Sequence, residues 1–247
     1  MVQWVQGRVV SKNAWTARLF SLQVDADIAP FEAGQFIKLG LEIGNEIVGR
    51  PYSLVNAPSG RPLEFCFSVV PGGPLSGRLA ALNAEDTVLV APYASGFLIL
   101  REVTDGSHLW LIASGTGIGP FLSILKTAEP WQRFERIILV HAARTTSELM
   151  YRDIIKEFSA THSSQFVFIP FISREPTDFA LPGRIPQAVA NGQLETRAGT
   201  EFSATQSQIM LCGNPQMVDE IQHLLIERGL KKHRRRDPGN ISIENYW

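Results

Sequence analysis

The apolar pattern of this chain changes period near residue 101, and that change constrains the fold more than any other feature. Before it, short alternating runs at 18–24, 35–41, 63–70 and 87–91 predict strands with one buried face. Turn residues separate them: Ala33-Gly34, Ile43-Gly44-Asn45, Pro58-Ser59-Gly60 and Pro71-Gly72-Gly73-Pro74. Many short strands around one helix pattern, 75–82, predict an antiparallel β-barrel. After residue 101, strands and helices alternate. Strands are expected at 109–113, 136–141, 166–172 and 209–211, and helices at 120–127, 147–160, 185–190 and 215–228. That order predicts a parallel sheet with helices on both faces. The expected architecture is therefore α/β in two domains: an antiparallel barrel over 1–101 and a parallel α/β domain over 102–247, joined by a polar linker at 101–108.

The 247 residues are enough for two modest cores, and 45% hydrophobic content is ordinary for a globular chain. A net charge of −1 argues against a global nucleic-acid-binding field. There is no run of about 18 apolar residues that would span a membrane. The start, MVQWVQGRVV, lacks a signal-peptide pattern, so a cytoplasmic protein is expected, and a monomer. The two cysteines, Cys66 and Cys212, are too few for an iron–sulfur cluster that takes four.

Several local motifs carry chemistry. Arg50-Pro51-Tyr52-Ser53 combines a guanidinium for phosphate, a flat ring and a hydroxyl; on a strand, Arg50 and Tyr52 share one face. After the apolar run 109–113 comes Ser-Gly-Thr-Gly-Ile-Gly-Pro at 114–120, including Thr116. Glycines there allow close backbone approach to a ligand, and a tight strand–helix turn is the plain alternative. Its G-x-G-x-G spacing is not the usual dinucleotide fingerprint and names no cofactor. His141, Ala142, Ala143 and Arg144 follow one strand; Ser173 and Arg174 follow the next, with Arg184 ten residues on. Arginine forks at neighbouring strand ends suit one phosphate, and a 2′-phosphate would mean NADP(H). Solvated surface arginines are the alternative. Leu211-Cys212-Gly213-Asn214-Pro215-Gln216 closes the last predicted strand, with Cys212 either at a cleft or a small buried apolar residue. Pro74-Leu75-Ser76-Gly77 precedes the isolated helix, where Ser76 is a pyrophosphate contact or a plain N-cap. Cys66, Phe67, Ser68 and Val69 flank the same turn. The chain ends in Glu244-Asn245-Tyr246-Trp247, and two terminal aromatics predict a docked end. The run Lys231, Lys232, His233, Arg234, Arg235, Arg236 is a solvated face or a patch that steers an acidic protein.

R-P-Y-S, G-T-G-I-G-P, H-A-A-R, S-R, G-R-I-P, C-G-N-P-Q-M and the terminal Y-W stand in the same order as in bacterial ferredoxin/flavodoxin–NADP⁺ reductases. The chain resembles that family over essentially its whole length, and in particular its enterobacterial type ending in Tyr-Trp. The resemblance implies noncovalent FAD on the barrel, NADP(H) on the α/β domain, and ferredoxin or flavodoxin as partner through the basic run. It implies Arg50 at the FAD pyrophosphate, Tyr52 against the flavin, Ser53 near flavin N5, and residues 66–69 and 74–76 as further FAD contacts. Pro51, within the same array, departs from the family's usual residue and offers no N–H. Thr116 would lie between flavin and nicotinamide. Ala143, Arg144, Ser173, Arg174 and Arg184 would take the 2′-phosphate side; Asn214, Pro215 and Gln216 the nicotinamide side, with Cys212 beside them. Glu244 would handle protons. Tyr246 would stack on the isoalloxazine, and Trp247 is an added residue that would pack on the FAD adenine. Two other readings stay open on the residues alone: a non-catalytic flavin-binding sensor, and an NAD(P)H:free-flavin reductase.

Overall fold

The computed structural model describes residues 3–245 and divides into two compact units. One unit runs to Ile99 and adds Gly119–Thr127; the other holds Leu100–Ile118 and the chain from Ala128.

The first unit contains β1 (Val5–Ala14), β2 (Leu19–Asp25), β3 (Phe36–Ile43), β4 (Glu46–Ser53), β5 (Leu63–Ser68) and β6 (Thr87–Val90), with helix α1 (Ser76–Ala81). The sheet order is β4-β3-β6-β1-β2-β5, and neighbours run antiparallel. Its two edges meet: Leu54 bridges Phe65, and the Val55 N–H donates to the Glu64 carbonyl at 2.9 Å. This contact closes the sheet into the expected antiparallel barrel and removes most of its open edge. Leu22, Val24, Ile37, Leu39, Phe65, Leu79 and Val90 fill the interior. Burying each such side chain contributes about 1.5–3 kcal/mol.

Two barrel strands lie outside the four expected runs: β4, anticipated only as a condition on Arg50–Ser53, and β1, the longest in the barrel. Only Gly7 and Val9 are buried along its ten residues, so its apolar alternation is faint. Gly7 is required by packing: a Cβ there would lie 2.7 Å from Val24 Cγ1 and 3.0 Å from Val90 Cγ2. A glycine that makes room for two neighbouring strands looks, in sequence, like a strand breaker.

The second unit carries β7 (His108–Ser114), β8 (Arg136–Ala143), β9 (Phe166–Ile172), β10 (Leu181–Pro182), β11 (Ser207–Gly213) and β12 (Ile241–Asn245), all parallel, in the order β10-β9-β8-β7-β11-β12. Helix α2 (Gly119–Leu125) groups with the barrel unit. Helices α3 (Glu129–Arg133), α4 (Arg152–Thr161), α5 (Ile185–Ala190), α6 (Gln193–Ala198) and α7 (Pro215–Glu227) belong with the parallel sheet. Ile112, Val140, Ile169 and Leu211 from the strands form one core with Ala188, Val189, Leu194, Ile221 and Leu225 from α5, α6 and α7. The expected helix at 147–160 begins only at Arg152, because Tyr151 takes φ +60° and interrupts it. The short elements β10, β12, α3 and α6 carried no readable period over so few residues.

The chain winds outward from β7 through β8, β9 and β10, then returns to place β11 and β12 on the other side of β7. Strand order therefore reverses between β7 and β11. In open parallel sheets, ligands bind beyond the carboxyl ends of the strands at such a reversal.

Candidate functional site

In the parallel-sheet unit, the reversal brings two predicted segments together. The 3₁₀ turn Gly115–Ile118, which carries Thr116, follows β7; Gly213 and Asn214 follow β11. Their backbones are in close contact. A Cβ on Gly117 would lie 2.5 Å from the Cys212 carbonyl oxygen, and one on Gly213 would lie 2.5 Å from Ser114 Oγ. Gly213 also has φ +128°, a conformation that side chains rarely adopt. The Asn214 N–H donates to Ser114 Oγ at 2.9 Å, and Asn214 Oδ1 accepts the Met217 N–H at 3.2 Å, capping α7. Asn214 and Gln216 are exposed and Pro215 half-buried at the start of α7, while Thr116 is buried.

Cys212 is fully buried and stands in register with Glu244 across β11 and β12. Tyr246 and Trp247, the predicted stacking residues, lie outside the described residues.

The predicted phosphate arginines follow β8, β9 and β10. The Arg174 N–H donates to the Arg144 carbonyl at 2.9 Å, and the Ser173 N–H to the Ala143 carbonyl at 3.2 Å, so two of the strand ends are tied together. β10 pairs Pro182 with Ile172 and delivers Arg184 to the residue preceding α5. Arg174 and Arg184 are exposed and carry no ion pair among the described residues. Arg144 is held by a residue the sequence reading missed. Glu148 reaches its Nη2 at 2.6 Å and accepts from its Nε and its backbone N–H at 3.0 Å each. These contacts with Arg144, and the charge of Arg174, hold the Glu148 carboxyl below its usual range against the opposing effect of burial. The i to i+4 spacing from Arg144 was the available signal.

His141 is the second residue without an assigned role in the sequence. It is fully buried on β8, and its Nε2–H donates to the Gly115 carbonyl at 2.9 Å. Its Nδ1 has no partner among the described residues. An unsatisfied buried acceptor costs about 1–3 kcal/mol, so this histidine is an expensive way to fill the core. Burial pushes its pKa down to about 4, partly opposed by the Gly115 bond, so the ring is neutral near pH 7. Because the folded value lies below the unfolded value of 6.5, the unfolded chain takes up the proton first. The associated stability is whole above pH 6.5 and is lost as pH falls through about 4, by about 3 kcal/mol. Melting temperatures from pH 7 to 4 should therefore fall further in the wild type than in His141→Gln. Parallel curves would contradict this.

In the barrel unit, β4 and β5 flank the closing seam, and the predicted residues lie along it. Arg50 and Pro51 are exposed on β4, Tyr52 is half-buried and Ser53 buried. β4 pairs only with β3, and such an edge position tolerates Pro51, which has no N–H to give. Arg50 donates from Nη1 to the Gly49 carbonyl at 2.8 Å and has no ion pair among the described residues. The Tyr52 ring meets Phe67 of β5 edge-on at 5.8 Å. Burial pushes the Tyr52 phenol up to about 12, so it stays protonated. Phe67 also stacks on Phe20, while Ser68 and Val69 are half-buried where β5 ends.

Cys66 is buried, with its thiol pushed up to about 12 by desolvation, and packs against α2: a Cβ on Gly119 would lie 3.2 Å from its Sγ. Pro74 is exposed and Leu75 buried before α1. Ser76 does not cap α1; its Oγ instead accepts the Val70 N–H at 2.9 Å and so folds the 70–76 turn.

The predicted basic run forms a hairpin. The Arg234 N–H donates to the Asp237 carbonyl at 3.0 Å, and the Asp237 N–H returns to the Arg234 carbonyl at 2.8 Å. Lys231 pairs with Asp237, while His233 and Arg235 each approach Glu102 at 3.8 Å. Arg234 and Arg236 are exposed without an ion pair among the described residues, so part of the run's charge is compensated and part is presented to solvent. No helix among the described residues is long and apolar enough to cross a membrane. A cavity of about 750 Å³ lined by His108, Glu195, Phe202 and Ser203 opens at the amino ends of β7 and β11, away from the strand ends that carry the residues above.

Residues 111–223 match the oxidoreductase NAD-binding domain family. Over its full length the chain is similar to the flavodoxin/ferredoxin–NADP reductase of Escherichia coli (strain K12), at 46% identity with 100% of both chains covered. It is 34% identical to the ferredoxin–NADP reductase of Pseudomonas aeruginosa, over 96% of this chain and 95% of that one. Among solved structures, a ferredoxin NADP+ reductase from Neisseria gonorrhoeae with bound FAD and NADP superposes with a TM-score of 0.94, at 32% identity and with 100% of each chain covered.

Proposed function

Because the chain belongs to the flavodoxin/ferredoxin–NADP reductase family, we propose that it is a cytoplasmic, monomeric FAD enzyme exchanging electrons between NADP(H) and a ferredoxin or flavodoxin. The observation that best supports the nucleotide reading is the set of exposed arginines beyond the carboxyl ends of β9 and β10, at the same end of the parallel sheet as the turns that flank the strand-order reversal. Both cofactors pass a test of fit. Arg50 has no acidic partner among the described residues, beside a half-buried aromatic face, which suits a flavin dinucleotide. Arg174 and Arg184, exposed and in no ion pair among the described residues, suit a 2′-phosphate.

Bound FAD supplies the redox chemistry, a hydride exchanged with NADP(H) and single electrons with the carrier. The chain's own groups bind and orient. Arg50 holds the pyrophosphate, with Pro51 stiffening that strand. Tyr52 presents a flat, uncharged ring to the flavin, and Ser53 a hydroxyl near flavin N5. Residues 66–69 and 74–76 supply backbone contacts. Thr116, on the turn after β7, would meet the nicotinamide. Arg144, Arg174 and Arg184, with Ala143 and Ser173, take the 2′-phosphate side. Asn214, Pro215 and Gln216 line the nicotinamide side, where Cys212 packs and Glu244 handles a proton. Tyr246 and Trp247 complete the assignment from sequence, as aromatic cover for the isoalloxazine and adenine. The exposed charge at Arg234 and Arg236 steers an acidic carrier toward the protein.

The test is an anaerobic spectrum of the purified protein. A yellow protein is expected, bleached far faster by NADPH than by NADH, and reoxidised by an added flavodoxin at a rate that falls as salt rises. A colourless protein would point to a free-flavin reductase. A yellow protein that neither nucleotide bleaches would point to a sensor.

A further inference from the structure

The structure assigns His141 a positioning role: its Nε2–H holds the Gly115 carbonyl and thereby sets the turn that presents Thr116. The turn is held from two sides. On one, Gly117 and Gly213 lie against the backbone of Cys212 and against Ser114, with no room for a Cβ. On the other, His141 reaches from β8, where it is in register with Ala113 of β7, to the first residue of the turn. Gly115 has φ +55°, and a Cβ there would meet nothing within 4 Å. Packing around that Cβ position therefore does not restrain Gly115, and the His141 bond does.

The surroundings favour a role over simple filling. The two residues before His141 on β8, Leu139 and Val140, are wholly buried and apolar, and Ala142 after it is half-buried. A methionine or leucine would occupy such a site without leaving the unpartnered Nδ1 that the histidine leaves. Only the Nε2–H contact uses what an imidazole offers. It directs the carbonyl of Gly115 inward and so fixes the backbone that leads into Thr116.

This inference rests on the reading that Thr116 meets the nicotinamide. A turn freed by a fraction of an ångström would then change the alignment of the reacting rings, while the phosphate end of the nucleotide, bound at other strand ends, would be unaffected. Misplacement on the order of 1 Å costs up to about a hundredfold in rate.

The test compares wild type, His141→Met and His141→Gln. Glutamine carries an N–H at roughly the reach of Nε2; methionine fills space and donates nothing. For the methionine variant, the limiting rate of flavin reduction by NADPH should fall about ten- to a hundredfold, with NADPH affinity within about threefold of wild type. Its melting temperature and flavin content should not drop. Amide hydrogen exchange across 115–118, measured without nucleotide, should speed up. Glutamine should restore both rate and protection. If the methionine variant does not fold, His141→Asn, too short to reach Gly115, should show the same rate loss. A donor-free variant with wild-type rate and protection would overturn the role, as would a glutamine variant no better than methionine. If NADPH fails to reduce even the wild type, the functional reading is what fails, and the exchange measurement still decides whether His141 sets the turn.

Discussion

Replacing Arg174 and Arg184 together with alanine should lower kcat/KM for NADPH by about a hundredfold or more, and change that for NADH by less than about threefold. Each guanidinium–phosphate contact is charge-assisted and contributes about 1.5–3 kcal/mol, so losing two removes at least two decades even with partial compensation. NADH lacks the 2′-phosphate and gains nothing from either side chain. Both arginines are exposed and neither is in an ion pair among the described residues, so their removal leaves no orphaned acid behind. Arg144 is a poorer target, because Glu148 would lose its partner at the same time. Steady-state kinetics with both nucleotides decides the matter. An equal loss for NADH would show that the two residues act on folding or on a part common to both cofactors.

Gly213→Ala should be the most damaging single methyl group at the strand ends of the parallel-sheet unit. The new Cβ would lie 2.5 Å from Ser114 Oγ and 2.6 Å from the Ser114 carbonyl oxygen, at a backbone φ of +128°. Neither neighbour is a flexible chain end; one is backbone and the other already accepts the Asn214 N–H. Strain and clash together should cost about 3 kcal/mol or more. For a chain of this size that lowers the melting temperature by about 6–12 °C. Gly44→Ala is the matched control, with φ +66° and nothing within 4 Å of its Cβ; it should cost about 1–2 kcal/mol from backbone strain alone. Equal melting temperatures for the two variants would show that the strand ends of β7 and β11 yield easily.

Period and turn chemistry in the sequence were enough to place most of the long elements. β2, β3, β5 and β6 fall within a few residues of their expected runs, as do β7, β8, β9 and α7, because each has an apolar face of its own. β1 does not: it is buried chiefly through a glycine that serves its neighbours. The glycine turn, the arginines at strand ends and the Arg50–Ser53 array were also legible, because they are contiguous and their chemistry is local. Glu148 and His141 were not. Glu148 appeared as one more helix-face acid, and His141 as one polar residue in an apolar strand.

What the amino-acid sequence determined by itself was the fold class, the order of the motifs and the family to which they belong. Those depend on residues close together in the chain, whose spacing is visible without coordinates. Only the tertiary structure decided that strand order reverses between β7 and β11, that Gly213 meets Ser114, and that Arg174 lies beside Arg144. It also decided that Ser76 folds a turn instead of capping α1, and that helix α2 groups with the barrel. Each of these is a pairing of groups brought together by sheet order and close packing. Such pairings leave no periodic mark on either partner, so neither segment alone announces the other.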